Sequence, residues 1–179
     1  KFINLILEVD ITYINQIEIK YIHKLRKLLY LLAMSAPLQP NVSKLSNEVE
    51  VSRATIMNYL KYLKDAQLIN LLHAHNGATM KKPHQVYLQN PNLIYAIAPW
   101  NIGEEHLRKT FFYTHMKPRH EVESTPEGDF LIDGRYIFRV GAKEDEISLV
   151  NKGDTYLAAD MIELGKERKI PLWLLGFLY

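Results

Sequence analysis

Residues 128–143 read GDFLIDGRYIFRVGAK. The Asp133-Gly134 pair is the strongest hairpin signal in the chain. Two strands are expected, at about 128–133 and 135–141. Asp129 stands near the start of the first, and Lys143 follows the second. Carboxylates that converge on a divalent ion, with a lysine to steady a phosphate, are the parts of metal-dependent phosphodiester chemistry. Here the position for a second carboxylate is Arg139, which repels a cation instead of ligating it. With Asp129 as the one strong ligand, no metal site is expected. The same spacing also fits an ordinary amphipathic hairpin.

Register decides what this hairpin brings together. A two-residue Asp133-Gly134 turn puts Ile132 across from Arg135 and Asp129 across from Phe138. Asp129 and Arg139 then lie on opposite faces. They share a face only if a bulge adds one residue to the count. Positions 139, 141 and 143 share a face in a regular strand.

Working outward, a helix is expected over 103–115 with Leu107, Phe111 and Phe112 inward, then a strand at about 119–124. Beyond the hairpin, the charged run KEDE leads to an expected helix over 154–165, with Gly165 and Lys166 as stop signals. A final strand is expected over 170–178. The order α-β-β-β-α-β implies a mixed sheet with helices packed on it.

The first half has a different texture. Residues 1–8 show helical spacing that Asp10 and Thr12 interrupt. A longer helix from about Gln16 to Met34 puts Ile19, Ile22, Leu25, Leu28, Leu29 and Leu32 on one face. Ala36-Pro37 and Gln39-Pro40 end it. A short helix over 43–49, a Glu50-Val51 turn and the N-cap Ser52 lead to a helix over 53–66, with Ile56, Leu60 and Leu63 inward. Strands LINLLHAH and QVYLQ flank a basic loop at 77–83. Helix, helix, turn, helix and hairpin is the order of a winged helix-turn-helix. The expected fold class is therefore α+β, with a winged helix-turn-helix at 16–90 and the mixed-sheet module at 91–179. The stretch 90–103, with two prolines and a glycine, reads as a linker.

In a helix-turn-helix, the second helix of the motif leads into the major groove. Its outward positions here are Arg53, Thr55, Met57, Asn58 and Lys61. Arginine reads guanine edges and asparagine reads adenine edges. Lys44, Lys64, Lys81 and Lys82 are placed to meet phosphates. The candidate nucleic-acid contacts are Arg53, Thr55, Asn58, Lys61, Lys81 and Lys82. Such a surface serves DNA or a protein partner equally well.

Composition narrows the rest. The 179 residues are 47% hydrophobic with a formal charge of +2, so any basic surface is local. The absence of cysteine removes disulfides, thiolate zinc sites and cysteine nucleophiles, and suits the cytoplasm. Seven scattered histidines give no zinc pattern, although His73 and His75 form an i, i+2 pair. Glu105 and Lys109 have the spacing of an exposed i, i+4 pair. No apolar run approaches the roughly 20 residues that span a bilayer. No GxxxxGK[ST] is present, so a Walker-type ATP site is not expected in this chain. The N-terminus lacks methionine and a signal-peptide pattern, and reads as the start of a fragment.

The runs PNVSKLSNEVEVSRATIMNYLKYLKDAQLINLL, KKPHQVYLQNPNLIYAI, LRKTFFYTH, GDFLIDGRYIFRVGAK and IPLWLLGFLY together resemble the C-terminal half of a prokaryotic AAA+ ATPase family. The likeness covers nearly everything from about residue 16. It implies an ATPase part before this chain, with residues 1–15 as its tail and with ATP and magnesium bound only there. It also implies a winged helix and a restriction-endonuclease-like αβββαβ module. The family's Leu-Arg-Glu-Thr-Phe-Phe has Lys109 in place of its glutamate. Its Phe-Glu-Val-Gly-Gly-Lys has Arg139 and Ala142, whereas Asp129 and Lys143 match. Two acidic positions are thus basic, and the site formed by Lys109, Asp129, Arg139 and Lys143 is expected to be vestigial. The resulting expectation is a non-catalytic DNA- or partner-binding region. An active metal-dependent nuclease, with Asp129 assisted by Glu104, Glu105 or Glu127, and a transcription regulator are the alternatives.

Overall fold

A computed structural model describes residues 2–15, 18–35, 37, 39–75, 83–100, 103–145 and 154–178. The chain is a mixed α and β protein whose contacts gather into two compact units. One comprises Lys1–Leu71 with Val86–Ile102, the other Leu72–Gln85 with Gly103–Tyr179.

The first unit begins with helical turns α1 (Phe2–Leu5) and α2 (Ile11–Asn15), joined by a π-helical segment, Ile6–Asp10. Asp10 and Thr12 do not break this run, contrary to the sequence expectation. The wider turn absorbs them, and the Thr12 hydroxyl donates to the Leu7 carbonyl five residues back at 3.1 Å. A 3-10 turn, Ile19–Tyr21, precedes α3 (Ile22–Ser35). Leu25, Leu28, Leu29 and Leu32 are buried there, as their spacing requires.

Helices α4 (Val42–Val49) and α5 (Arg53–Asp65) meet at a tight turn. Glu50 adopts the left-handed conformation at the end of α4, and the Val51 amide returns to the Ser46 carbonyl at 3.1 Å. The Lys24 ammonium holds the Glu50 carboxylate at 2.7 Å. Ser52 then caps α5 by accepting the Thr55 amide at 3.0 Å. Ile56, Leu60 and Leu63 point into the core. Strands β1 (Ile69–Leu72) and β2 (Gln85–Leu88) pair in a two-stranded sheet. Helix α6 (Pro91–Ile97) replaces the expected linker. The Asn90 side chain caps it and Pro91 starts it, a pairing that favours helix initiation.

In the second unit, helix α7 (Glu104–Met116) packs on a sheet. Phe112, Tyr113 and Met116 are buried, whereas Leu107 and Phe111 are half-buried instead of fully inward. The described residues give the strand order β3 (Val122–Glu123), β4 (Phe130–Ile132), β5 (Tyr136–Gly141), β6 (Thr155–Ala159) and β7 (Lys169–Pro171). The first three strands are antiparallel, and β5, β6 and β7 are parallel.

Two expected elements are corrected. Residues 154–165 hold strand β6 and turns instead of a helix, because 155–159 are claimed on both edges by β5 and β7. Residues 170–178 are only briefly a strand. After Pro171 the chain turns into a 3-10 helix, Leu172–Phe177, whose Leu172 and Leu175 are buried. Residues 73–75 lie alongside β3. The Ser124 amide donates to the His73 carbonyl at 2.9 Å, and His75 Nδ1 lies 2.6 Å from Glu123.

The Ser52 cap generates a first prediction. Ser52→Ala leaves the Thr55 amide without its partner and should lower stability by about 1 kcal/mol. Urea unfolding of the two proteins side by side measures this. An unchanged midpoint would remove Ser52 as the determinant of where α5 starts.

Candidate functional site

The β4–β5 hairpin does not close on a two-residue turn. Ile132 pairs with Tyr136, so Asp133, Gly134 and Arg135 all lie outside the ladder. Asp133 and Gly134 have φ of 52° and 65°, and the Arg135 amide closes on the Ile132 carbonyl at 3.0 Å. Arg135 is the additional residue, and its guanidinium turns away to Asp154 at 2.7 Å. The Asp133 carboxylate accepts the Glu121 amide at 2.9 Å and contacts His120 at 2.8 Å. The His120 contact is the larger of the two causes that hold this carboxyl below its usual range.

This register places Phe130 across from Phe138, and counting on, Asp129 across from Arg139. Asp129 and Arg139 line one open cleft of about 380 Å³, together with Gly128, Asp145 and Leu157. Gly128 forms a wall where a Cβ would come within 2.6 Å of Ile137. Asp145 folds back to accept the Ala142 amide at 2.7 Å. The Lys169 ammonium fastens the same loop through the carbonyls of Lys143 (2.6 Å) and Asp145 (2.9 Å).

Asp129 is the most constrained group in the cleft. Its amide donates to the Phe138 carbonyl at 2.9 Å. One carboxylate oxygen accepts the Val140 amide at 2.8 Å, and the other meets the Lys109 ammonium at 2.7 Å. Lys109 also reaches Glu105 at 2.6 Å. Burial pulls the Lys109 pKa down, but hydrogen bonds and charge from Asp129 and Glu105 outweigh it, and the net shift is upward. The hydrogen bond from Lys109 holds the Glu105 carboxyl below its ordinary value. Both Asp129 oxygens are therefore committed to internal donors, with a fixed cation on one side and Arg139 beside the cleft. This donor set does not fit a divalent cation. Among the described residues no three metal-ligating side chains gather.

Of the four positions singled out in the sequence, Lys109 and Asp129 form an ion pair, and Arg139 lines the cleft with Asp129. Lys143 is exposed and contributes its carbonyl to the Lys169 contact. Sequence reasoning missed the Val140 amide, which no side-chain pattern could flag, and Asp145, which lay in the unassigned run KEDE. Glu105 was visible as the i, i+4 partner of Lys109, but not as part of a three-residue chain ending at Asp129.

The second candidate surface is the outer face of α5. Arg53, Asn58 and Lys61 are exposed, and their side chains make no hydrogen bond or ion pair with other described residues. Thr55 is half-buried, with its hydroxyl 2.8 Å from that of Ser52. Lys81 and Lys82 lie outside the described residues. No helix of the described residues is long and apolar enough to cross a membrane.

The model of a family described as a domain of unknown function (DUF8612) matches residues 1–101, and the chain belongs to that family. No curated protein and no solved structure matches the chain.

The Lys109 pair generates a second prediction. Lys109→Met leaves Asp129, a mostly buried carboxylate, with one donor, and should cost roughly 1–3 kcal/mol. The pH dependence has two limbs. Glu105 is depressed from 4.5, so its contribution is present above that value and lost as pH falls through the lower folded value. Lys109 is raised from 10.5, so its contribution is present below that value and lost as pH climbs through the higher folded value. Denaturant unfolding across pH should show the variant losing the alkaline limb and, because Lys109 is the main cause of the Glu105 depression, most of the acid limb as well. A variant that keeps the alkaline limb would assign it to other groups.

Proposed function

We propose that this chain is a non-catalytic, duplex-DNA-binding region. In this reading α3, α4, α5 and the β1–β2 pair act as a winged helix-turn-helix. The second unit is a restriction-endonuclease-like scaffold whose ancestral metal site has been replaced by an internal ion pair. The observation that carries the reading is the outer face of α5, where Arg53, Asn58 and Lys61 are exposed and uncommitted to other described residues. The turn between α4 and α5 supports it, because Glu50 and Ser52 fix the start of α5. For the second unit, support comes from Asp129, which carries a lysine where metal chemistry would need an open carboxylate. The resemblance to AAA+ ATPases supplies the wider setting: a cytoplasmic protein whose preceding part uses ATP and magnesium.

Fluorescence anisotropy with a labelled duplex tests the binding half. Affinity should fall steeply with salt, and Lys61→Ala should reduce the slope of log K against log salt by about one. Absence of duplex binding at low salt would sink this half and direct attention to a protein partner. Plasmid incubation with magnesium or manganese tests the other half. No cleavage is expected, and cleavage lost in Asp129→Ala would overturn the non-catalytic assignment.

A further inference from the structure

Thr55 belongs to the cap of α5, which leaves Arg53, Ala54, Met57, Asn58 and Lys61 as the outward residues of its first three turns. At 100° per residue, these five fall within one face of the helix. Their chemistry is not that of a generic basic patch. Arg53 has a forked donor, Ala54 is small enough to let the helix axis approach a surface, Met57 is apolar and half-exposed, and Asn58 has a paired donor and acceptor. Among the described residues, nothing within the protein engages the Asn58 amide or the Arg53 guanidinium.

A phosphate-only surface has no use for Met57 and would use only the donor half of the Asn58 amide, leaving its carbonyl unmatched. An asparagine amide matches N6 and N7 of adenine, an apolar side chain matches the thymine methyl, and an arginine fork matches O6 and N7 of guanine. We infer that α5 reads sequence: Arg53 takes a guanine, and Met57 with Asn58 takes an A·T pair. Five residues at about 1.5 Å each separate Arg53 from Asn58 along the axis, roughly 7.5 Å. That spans about two base-pair steps of about 3.4 Å. The ligand class is thus a duplex with guanine and adenine about two steps apart in the major groove. This inference rests on the duplex-binding reading above.

Selection of duplexes from a randomised pool by the full chain, followed by anisotropy on the enriched sequence, tests it. The expected motif contains the guanine and the adenine. Replacing that adenine should weaken wild-type binding between about fivefold and a hundredfold. Asn58→Ala should lose the part of the adenine preference that depends on N6 and N7, keeping only the several-fold part carried by the paired thymine methyl. Deoxyuridine in place of the paired thymine should weaken wild type several-fold and leave Met57→Ala unaffected. Duplex binding with no enriched motif, or an adenine preference undiminished in Asn58→Ala, overturns this inference and leaves the previous one standing. No binding to any duplex overturns both.

Discussion

The second unit depends on where the hairpin turn ends. Asp133 and Gly134 in left-handed conformations reverse the chain, and Arg135 is left over before pairing starts at Tyr136. Pairing one residue earlier would rotate β5 against β4 and send Phe138 to the other face. Phe138 and Phe130 lie 5.1 and 4.8 Å from Phe112 of α7, ring to ring. Burying each such ring contributes about 1.5–3 kcal/mol, and the ring geometry adds about 0.5–1.5 kcal/mol per pair. Losing that cluster costs far more than the positive φ of Asp133, a residue type that tolerates this region. Packing therefore selects the register, and the turn accommodates it by extruding Arg135 to Asp154.

The same register defines the electrostatics of the cleft. β4 as a regular ladder stops at Phe130, and Asp129 continues the pairing with its side chain, which serves the Val140 amide. That leaves its second oxygen facing α7. Lys109, Phe112, Tyr113 and Met116 recur at helical spacing on one face of α7, so the helix that seals the aromatic core also delivers the ammonium. Two contacts compete for Lys109, and exposure decides between them. The side chain of Glu105 is 68% exposed and that of Asp129 is 24% exposed. An exposed helix pair contributes a few tenths of a kcal/mol, whereas a charge-assisted bond to a shielded carboxylate contributes about 1.5–3 kcal/mol. Asp129 is the partner that matters.

Elements fixed by local pattern were legible in the sequence. The apolar stripe of α5, the Glu50-Val51 turn and the Ser52 cap stand within a residue or two of their expected places, whereas α3 starts at Ile22, six residues after the expected Gln16, with Ile19 in a separate 3-10 turn. Helix α6 carried a legible signal that the linker reading passed over, an asparagine cap followed by proline. What could not be read depended on partners remote in sequence. Ala158, Ala159 and Met161 favour helix locally, yet 155–159 become a strand because β5 and β7 offer both edges. In the site, residue types were visible but their arrangement was not. A one-residue difference in the turn decides whether Asp129 counts against Phe138 or Arg139, and no periodicity records it. Lys109 was visible as a basic residue on the helix; that its ammonium ends on Asp129 required the fold.

The two basic surfaces differ in what they can give to a phosphate backbone. A cation already held by carboxylates releases little when DNA arrives, because its counter-charge is covalently part of the protein. Lys109 is in that position, and so is Arg135 with Asp154. On α5, Arg53, Lys61 and Lys64 are exposed without such partners among the described residues. If α5 binds a duplex as proposed, counterion release would come from about three groups on this helix, corresponding to a salt slope of roughly −3. Three phosphates supply little affinity at physiological salt. With a formal charge of only +2 over the chain, long-range attraction adds little more. A duplex held by α5 would have to be retained largely through base edges, which is why Asn58 and Met57 outweigh another lysine in deciding whether this face has a specific ligand.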